Sequence, residues 1–156
     1  MIAHEWRSWE NCYIPSHANL SKMSLILDAG AGEGETVLFY HMLGFRNFRC
    51  VESDPVAFQR LRKNTANIPD SRFELICRPF QPQDVFDADF AKIDVDGGEI
   101  ELLKVPIAMM PQEIRLEIHD LRVEREIRSH LPHMRQLPTP TSWPDDVKMW
   151  SWRKHI

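Results

Sequence analysis

Short apolar runs alternate with amphipathic stretches along this chain, the pattern of a parallel sheet whose strands are joined by crossover helices. The strand candidates are Leu25 to Ala29, Phe48 to Glu52, Phe73 to Cys77, Phe90 to Asp94 and Ile114 to Ile118. Between them, Glu33 to Leu43 reads as a helix stopped by Gly44, and Pro55 to Asn64 as a helix with Asp54 as N-cap and Pro55 in its first turn. A third helix is predicted from near Gly98 to just before Pro106, and a fourth from Arg122 to Leu131, ended by Pro132. In the tail, His133 to Leu137 and Val147 to Trp152 read as two further strands joined by the proline-rich stretch from Pro138 to Pro144. The expected architecture is α/β, with seven strands and helices on both faces.

The loop after the first strand, Asp28-Ala-Gly30-Ala-Gly32-Glu-Gly34-Glu35, places glycine at alternate positions, where the backbone can bend sharply and approach a ligand before a helix starts. The spacing is one residue short of the G-x-G-x-x-G dinucleotide fingerprint. Asp28, Glu33 and Glu35 surround it with carboxylates that would repel a pyrophosphate and favour a cationic cofactor such as S-adenosylmethionine. Glu52, at the end of the second strand and about 20 residues past the glycines, stands where Rossmann-type folds place an acid for the ribose hydroxyls.

These residues resemble the first motif, D-x-G-x-G-x-G, and the strand-ending acid of the class I S-adenosylmethionine-dependent methyltransferases. Within that superfamily, Lys92-Ile-Asp94-Val-Asp96-Gly-Gly-Glu99-Ile-Glu-Leu-Leu-Lys104 is similar to the K-I-D-V-E-G-x-E-x-x-x-L-K signature of the FkbM family, associated with O-methylation of sugar and polyketide hydroxyls. The resemblance implies a Rossmann-like seven-stranded methyltransferase sheet, mostly parallel with its last strand antiparallel. It implies S-adenosyl-L-methionine as cofactor, bound by Asp28, Gly30, Gly32, Gly34, Glu52, Ser53, Phe80 and Asp94. The segment after the third strand, Cys77 to Gln81, lacks the acid usual on the adenine side; Phe80 reads as a stacking residue or as ordinary core, and Asp84 lies too far along to assign.

For the chemistry, Asp94, Asp96 and Glu99 follow the fourth strand and Glu117, His119 and Asp120 the fifth, so the two loops are expected to face each other across the methyl group. Asp94, Asp96, Glu99 and His119 are the catalytic candidates. His119 reads as general base, or as a surface histidine capping the helix that follows. Asp96 and Glu99 have helix capping as their alternative. Carboxylates with a histidine can also hold Mg²⁺ or Mn²⁺ to orient an acceptor hydroxyl; the spacing neither requires nor excludes it, and no metal ligand is assigned.

The chain has 156 residues, of which 43% are hydrophobic, enough for one well-buried core and read as one domain: an N-terminal arm (1–24), a cofactor-binding core (25–120), and a C-terminal helix and strand pair (121–156). With so short a leading arm the cap over the site is minimal, so the substrate is large or a second subunit, for example in a homodimer, closes the cleft. The aromatic segment His4 to Tyr13 reads as folding over the site or as an arm packed on the sheet edge through Trp6 and Trp9. A net charge of −4 argues against binding nucleic acid mainly through phosphates. The basic positions Arg122, Arg125 and Arg128, interleaved with Glu124 and Glu126, read as a solvated face. No apolar run suggests a membrane span and no signal peptide is read, so a soluble, cytoplasmic protein is expected. Cys12, Cys50 and Cys77 form no metal or disulfide pattern, and Cys50 and Cys77 read as core thiols.

The leading expectation is methyl transfer to a hydroxyl of a glycan or small metabolite. RNA or DNA ribose O-methylation is an alternative; amine methylation is disfavoured because Ile93 to Gly98 replaces the N-P-P-Y type of loop. A non-catalytic cofactor-binding subunit of a larger complex is a third reading.

Overall fold

The computed structural model describes residues 9, 12–16, 20–139 and 147–154. Seven strands form one sheet: β1 (Leu25–Ala29), β2 (Asn47–Glu52), β3 (Arg72–Cys77), β4 (Phe90–Ile93), β5 (Glu113–Ile118), β6 (Arg135–Gln136) and β7 (Lys148–Arg153), in the order β3-β2-β1-β4-β5-β7-β6. β7 runs antiparallel to both its neighbours, while the pairs among β1 to β5 are parallel. This is the Rossmann-like methyltransferase sheet. Its strand order reverses between β1 and β4, and a crevice opens there at the carboxyl ends of the strands.

The helices are α1 (Glu35–Met42), α2 (Pro55–Thr65) and α3 (Leu121–His130). Alternation along β1 shows how they cover the sheet. Ile26 packs on one face with Phe48, Cys50 and Phe90 beneath Val37, Tyr40 and Leu61 of α1 and α2. Leu27 and Ala29 pack on the other with Ile93, Ile114 and Leu116 beneath Leu102, Ile127 and Leu131. Each face is thus a period-two row meeting a helical stripe. None of the helices in the described residues is long and apolar enough to cross a membrane.

Some boundaries differ from the sequence expectation for identifiable reasons. The segment predicted as a helix from Gly98 is a 3₁₀ helix, Glu99–Lys104: Glu101 N–H donates to the Gly98 carbonyl and Val105 N–H to that of Leu102, and Pro106 follows before an α turn can propagate. β6 is only two residues long because His133, with φ of 65°, cannot begin a strand. Cys50 is a core thiol, but Cys77 is exposed, since it ends the edge strand β3. Trp6 and most of the proline-rich stretch lie outside the described residues.

Candidate active site

The loop between β1 and α1 is tied to the neighbouring strands by its backbone. Gly30 and Ala31 N–H both donate to the Val51 carbonyl at 2.9 and 3.1 Å, and Asp94 N–H donates to the Ala29 carbonyl at 3.0 Å. At Gly30 the φ is 74° and a Cβ would land on the Asp94 carbonyl oxygen, so this turn accepts no side chain. Gly32 N–H donates to Glu52 Oε2 and Asp54 N–H to Glu52 Oε1, both at 2.8 Å. Glu52 therefore fixes the loop as well as lining the cleft beside it. Gly34 is the N-cap of α1, and Asp54 caps α2 by accepting from Val56 N–H.

Over this loop lies a cleft of about 670 Å³, lined by Gly30, Gly32, Glu52, Ser53, Phe80 and Asp94 among others. Six of the eight residues expected at the cofactor thus share one cavity. Phe80 is also buried against the core, as its second sequence reading had it. Asp84, unassignable from sequence, organises the wall indirectly. Its carboxylate accepts two bonds from Arg78 at 2.9 and 2.6 Å and one from Gln81 N–H at 2.7 Å, shaping the turn that presents Phe80.

The acids of the glycine loop are not arranged as the sequence implied. Asp28 is fully buried and does not line the cleft; it lies 3.2 Å from the equally buried Lys92 ammonium. Burial pushes the Asp28 carboxyl up, against the attraction of Lys92. Burial also opposes charge on Lys92, but Asp28 and Asp94 outweigh it and hold the ammonium above its usual range. Lys92 further donates to the Gly30 carbonyl at 2.7 Å. Glu33 points outward to Arg60. Of the three loop acids, only Glu35 faces a cleft on the strand-end side, a second one of about 390 Å³.

That second cleft shares Gly30, Gly32 and Asp94 with the first and is walled by Trp9, Tyr13, Lys92 and Glu117. The N-terminal arm forms one side of it, and β5 explains how the arm is held. Ile114, Leu116 and Ile118 face the core, which leaves Glu113, Arg115 and Glu117 on the opposite face. The arm covers this polar row. The Tyr13 hydroxyl donates to Glu117 Oε1, Arg115 Nη2 to the Ile14 carbonyl at 2.7 Å, and Ser16 N–H to the Glu113 carboxylate at 3.1 Å. Trp9 packs edge-on against Tyr13 and Phe39. The described residues of the arm thus pack on the face of the sheet over the interior strand β5, rather than on a sheet edge, and wall the second cleft.

At the mouth of the two clefts the β4 and β5 ends converge on His119. Its Nδ1 lies 2.7 Å from Glu99 Oε1, and its Nε2 lies 3.6 Å from Asp94, 3.5 Å from Asp96 and 3.9 Å from Glu117. Asp94, Glu117 and His119 each offer one donor atom, all within 4.8 Å of one another. The four catalytic candidates from sequence are brought together. Gly98 is the N-cap of the 3₁₀ helix, without a side-chain bond, so Asp96 makes no capping bond; Glu99 stands in the first turn, where its alternative reading put it, with its carboxylate also against His119. Nor does His119 cap α3; Asp120 does, accepting from Arg122 N–H at 2.8 Å.

Burial of His119 disfavours its cation, but the Glu99 hydrogen bond and the fields of Asp94, Glu99 and Asp96 outweigh it, so its pKa rises. Glu117 is pushed up to about 7 by burial, with His119 pulling the other way. The histidine thus holds its proton more tightly than a free imidazole while Glu117 titrates near neutrality. Sequence reasoning assigned no role to Tyr13, Lys92 or Glu117. The signals were present: a lysine inside the apolar run 90–93, and polar residues at alternate positions of an otherwise apolar strand.

No protein-family model and no curated protein sequence matches this chain. Solved structures do match. Precorrin-6y C5,15-methyltransferase from Geobacter metallireducens GS-15 aligns with a TM-score of 0.65 at 16% identity, over 88% of this chain and 83% of that one. The human methyltransferase 10 domain containing protein aligns with a TM-score of 0.62 at 16% identity, over 99% and 83%. The human METTL16 catalytic domain, solved in complex with hairpin 6 of the MAT2A 3′UTR, aligns with a TM-score of 0.57 at 14% identity, over 86% of this chain and 65% of that domain. At these identities the likeness is one of fold: the chain has the Rossmann-like fold of these methyltransferases.

Proposed function

We propose that the chain is an S-adenosylmethionine-dependent methyltransferase acting on a hydroxyl of a small-molecule or glycan acceptor, as the FkbM-like segment 92–104 implies. The observation that carries the reading is the cleft at the β1/β4 switch point, with Gly30 and Gly32 at its floor and Glu52 bonded to Gly32 N–H. The residues fit the cofactor. The turn at Gly30 brings backbone against the cavity, Glu52 and Ser53 line it where a ribose would lie, and Pro79 with Phe80 offers an apolar wall to a base. When bound, S-adenosylmethionine supplies a methyl group on a sulfonium, and methyl transfer needs the acceptor oxygen held in line with it.

The chain's own part is at the other cleft. Trp9 and Tyr13 exclude water from one side, and Asp94, Glu117 and His119 bring polar atoms to its mouth, where an acceptor hydroxyl gives up its proton. Glu99 holds the His119 ring by Nδ1 and so directs Nε2 to that point.

Calorimetric titration with S-adenosylhomocysteine tests the reading. The expected result is one site per chain with micromolar affinity, weakened at least a hundredfold in Glu52→Ala. Absence of binding to the wild-type chain rejects it, whereas binding without methyl transfer to any hydroxyl acceptor favours the non-catalytic cofactor-binding subunit. A second reading, ribose O-methylation of RNA, draws support from the METTL16 domain having been solved with an RNA hairpin. The electrostatics of the cleft mouth oppose it, because Asp94, Asp96, Glu99 and Glu117 gather there.

A further inference from the structure

We propose that Asp94, Glu117 and His119 hold a divalent cation of the Mn²⁺ or Mg²⁺ kind at the mouth shared by the two clefts. The spacing is the first argument. An ion bonded at about 2.2 Å sets its ligands about 3.1 Å apart when adjacent and about 4.4 Å when opposite. The contacts of His119 Nε2 with Asp94 Oδ1 (3.6 Å) and Glu117 Oε2 (3.9 Å) fall inside that interval. They are too long for hydrogen bonds, so Nε2 points into a gap edged by carboxylate oxygens rather than at a partner.

An independent observation concerns Glu117, whose residue is only 6% exposed. Tyr13 occupies its Oε1, and among the described residues nothing donates a hydrogen bond to its Oε2, the atom facing His119. The Glu117 side chain is 8% exposed, and a cation in the gap gives that oxygen a partner. The histidine is also prepared as a ligand. Its Nδ1 is fixed by Glu99, itself 0% exposed, in the carboxylate–histidine arrangement that orients metal-bound imidazoles.

Charge points the same way. Four carboxylates (Asp94, Asp96, Glu99, Glu117) surround one imidazole, and the nearby cation, Lys92, is shared with buried Asp28. Two carboxylate oxygens and one imidazole nitrogen form a predominantly hard set, suited to Mn²⁺ or Mg²⁺ with waters completing the shell. On the methyl-transfer reading the ion binds the acceptor oxygen and lowers its hydroxyl pKa. Binding of the ion does not depend on that reading.

The test uses Mn²⁺ and the full chain without cofactor, following loss of the free-ion electron paramagnetic resonance signal. The expected result is one Mn²⁺ per chain, displaced by excess Mg²⁺, with affinity lowered at least tenfold in Glu117→Gln and in His119→Ala and unchanged in Glu33→Gln. On the wild type, Mn²⁺ should also broaden the His119 ring signals in the NMR spectrum before those of His41, a readout that needs no variant. Lack of stoichiometric binding, or binding that spares His119, overturns the proposal. Titration with S-adenosylhomocysteine in chelator remains a separate measurement, so the metal and the cofactor reading fail independently.

Discussion

Lys92 shows how one side chain supports both the core and the site. It is buried within reach of Asp28 and Asp94 and donates to the Gly30 carbonyl, so it joins β1, β4 and the glycine loop. Replacing it with methionine keeps the length but leaves Asp28 as a buried carboxylate without its cation, a loss of about 3 kcal/mol or more. The pH dependence follows from the sign of the shift. Burial raises the Asp28 pKa in the folded state, and without Lys92 nothing of comparable size opposes it. A carboxyl whose folded pKa exceeds its unfolded value keeps stability below the unfolded value and loses it as pH rises through the folded one. Urea unfolding of Lys92→Met should therefore show a deficit at pH 8 that shrinks towards pH 4. The same residue marks a limit of sequence reading. The glycines, Glu52 and Asp94 were legible because their spacing along the chain is itself the signal. Asp28 was legible as an acid but not as a buried one, since its partner is 64 residues away and stands on a strand three places later in the chain order.

At the scale of elements, most of the fold was legible because strands and crossover helices carry their own periods and caps; Asp54 and Pro55 at the start of α2 announced it directly. The arm was not, because what holds it is a row on β5 about 100 residues further on, and no local rule pairs Tyr13 with Glu117. Its seating can be followed at Cys12. This thiol is buried and pushed up to about 11, chiefly by burial, then by the field of Glu117, with Arg115 opposing. At pH 8 about one part in a thousand is thiolate, and the thiolate is the reactive form. Cys77 is exposed and should react at once with a thiol reagent, while Cys12 and Cys50 lag. Arg115→Met removes the donor to the Ile14 carbonyl and should speed labelling of Cys12 at least tenfold while Cys50 stays protected. Equal acceleration of both would indicate that the whole sheet has loosened rather than the arm.

For the whole molecule, the decisive property is how charge is distributed about the sheet. The order β3-β2-β1-β4-β5-β7-β6 puts the ends of β4 and β5 side by side, so residues 23 positions apart in sequence, Asp94 and Glu117, meet at one opening. That gathering gives a molecule of net charge −4 a strongly acidic entrance, whereas three of its exposed arginines are paired with acids elsewhere: Arg60 with Glu33, Arg122 with Asp120, Arg128 with Glu124. A polyanion must bring phosphates to this entrance before its ribose can reach the site, and each like-charge approach is least screened at low salt. If RNA were nevertheless the acceptor, its binding would rest on basic contacts and weaken steeply with salt, with a slope of about −0.7 per phosphate contacted for single strands. A labelled RNA hairpin, followed by fluorescence anisotropy in 50 mM and then 200 mM salt, distinguishes the cases. We expect no saturable binding at micromolar protein in either. Tight binding at the lower salt that collapses at the higher would place basic contacts around the acidic mouth and move the acceptor from small hydroxyl compounds to RNA. Addition of Mn²⁺ sharpens the comparison, because an ion at Asp94, Glu117 and His119 relieves the repulsion only locally. It should leave RNA binding absent while S-adenosylhomocysteine binding persists.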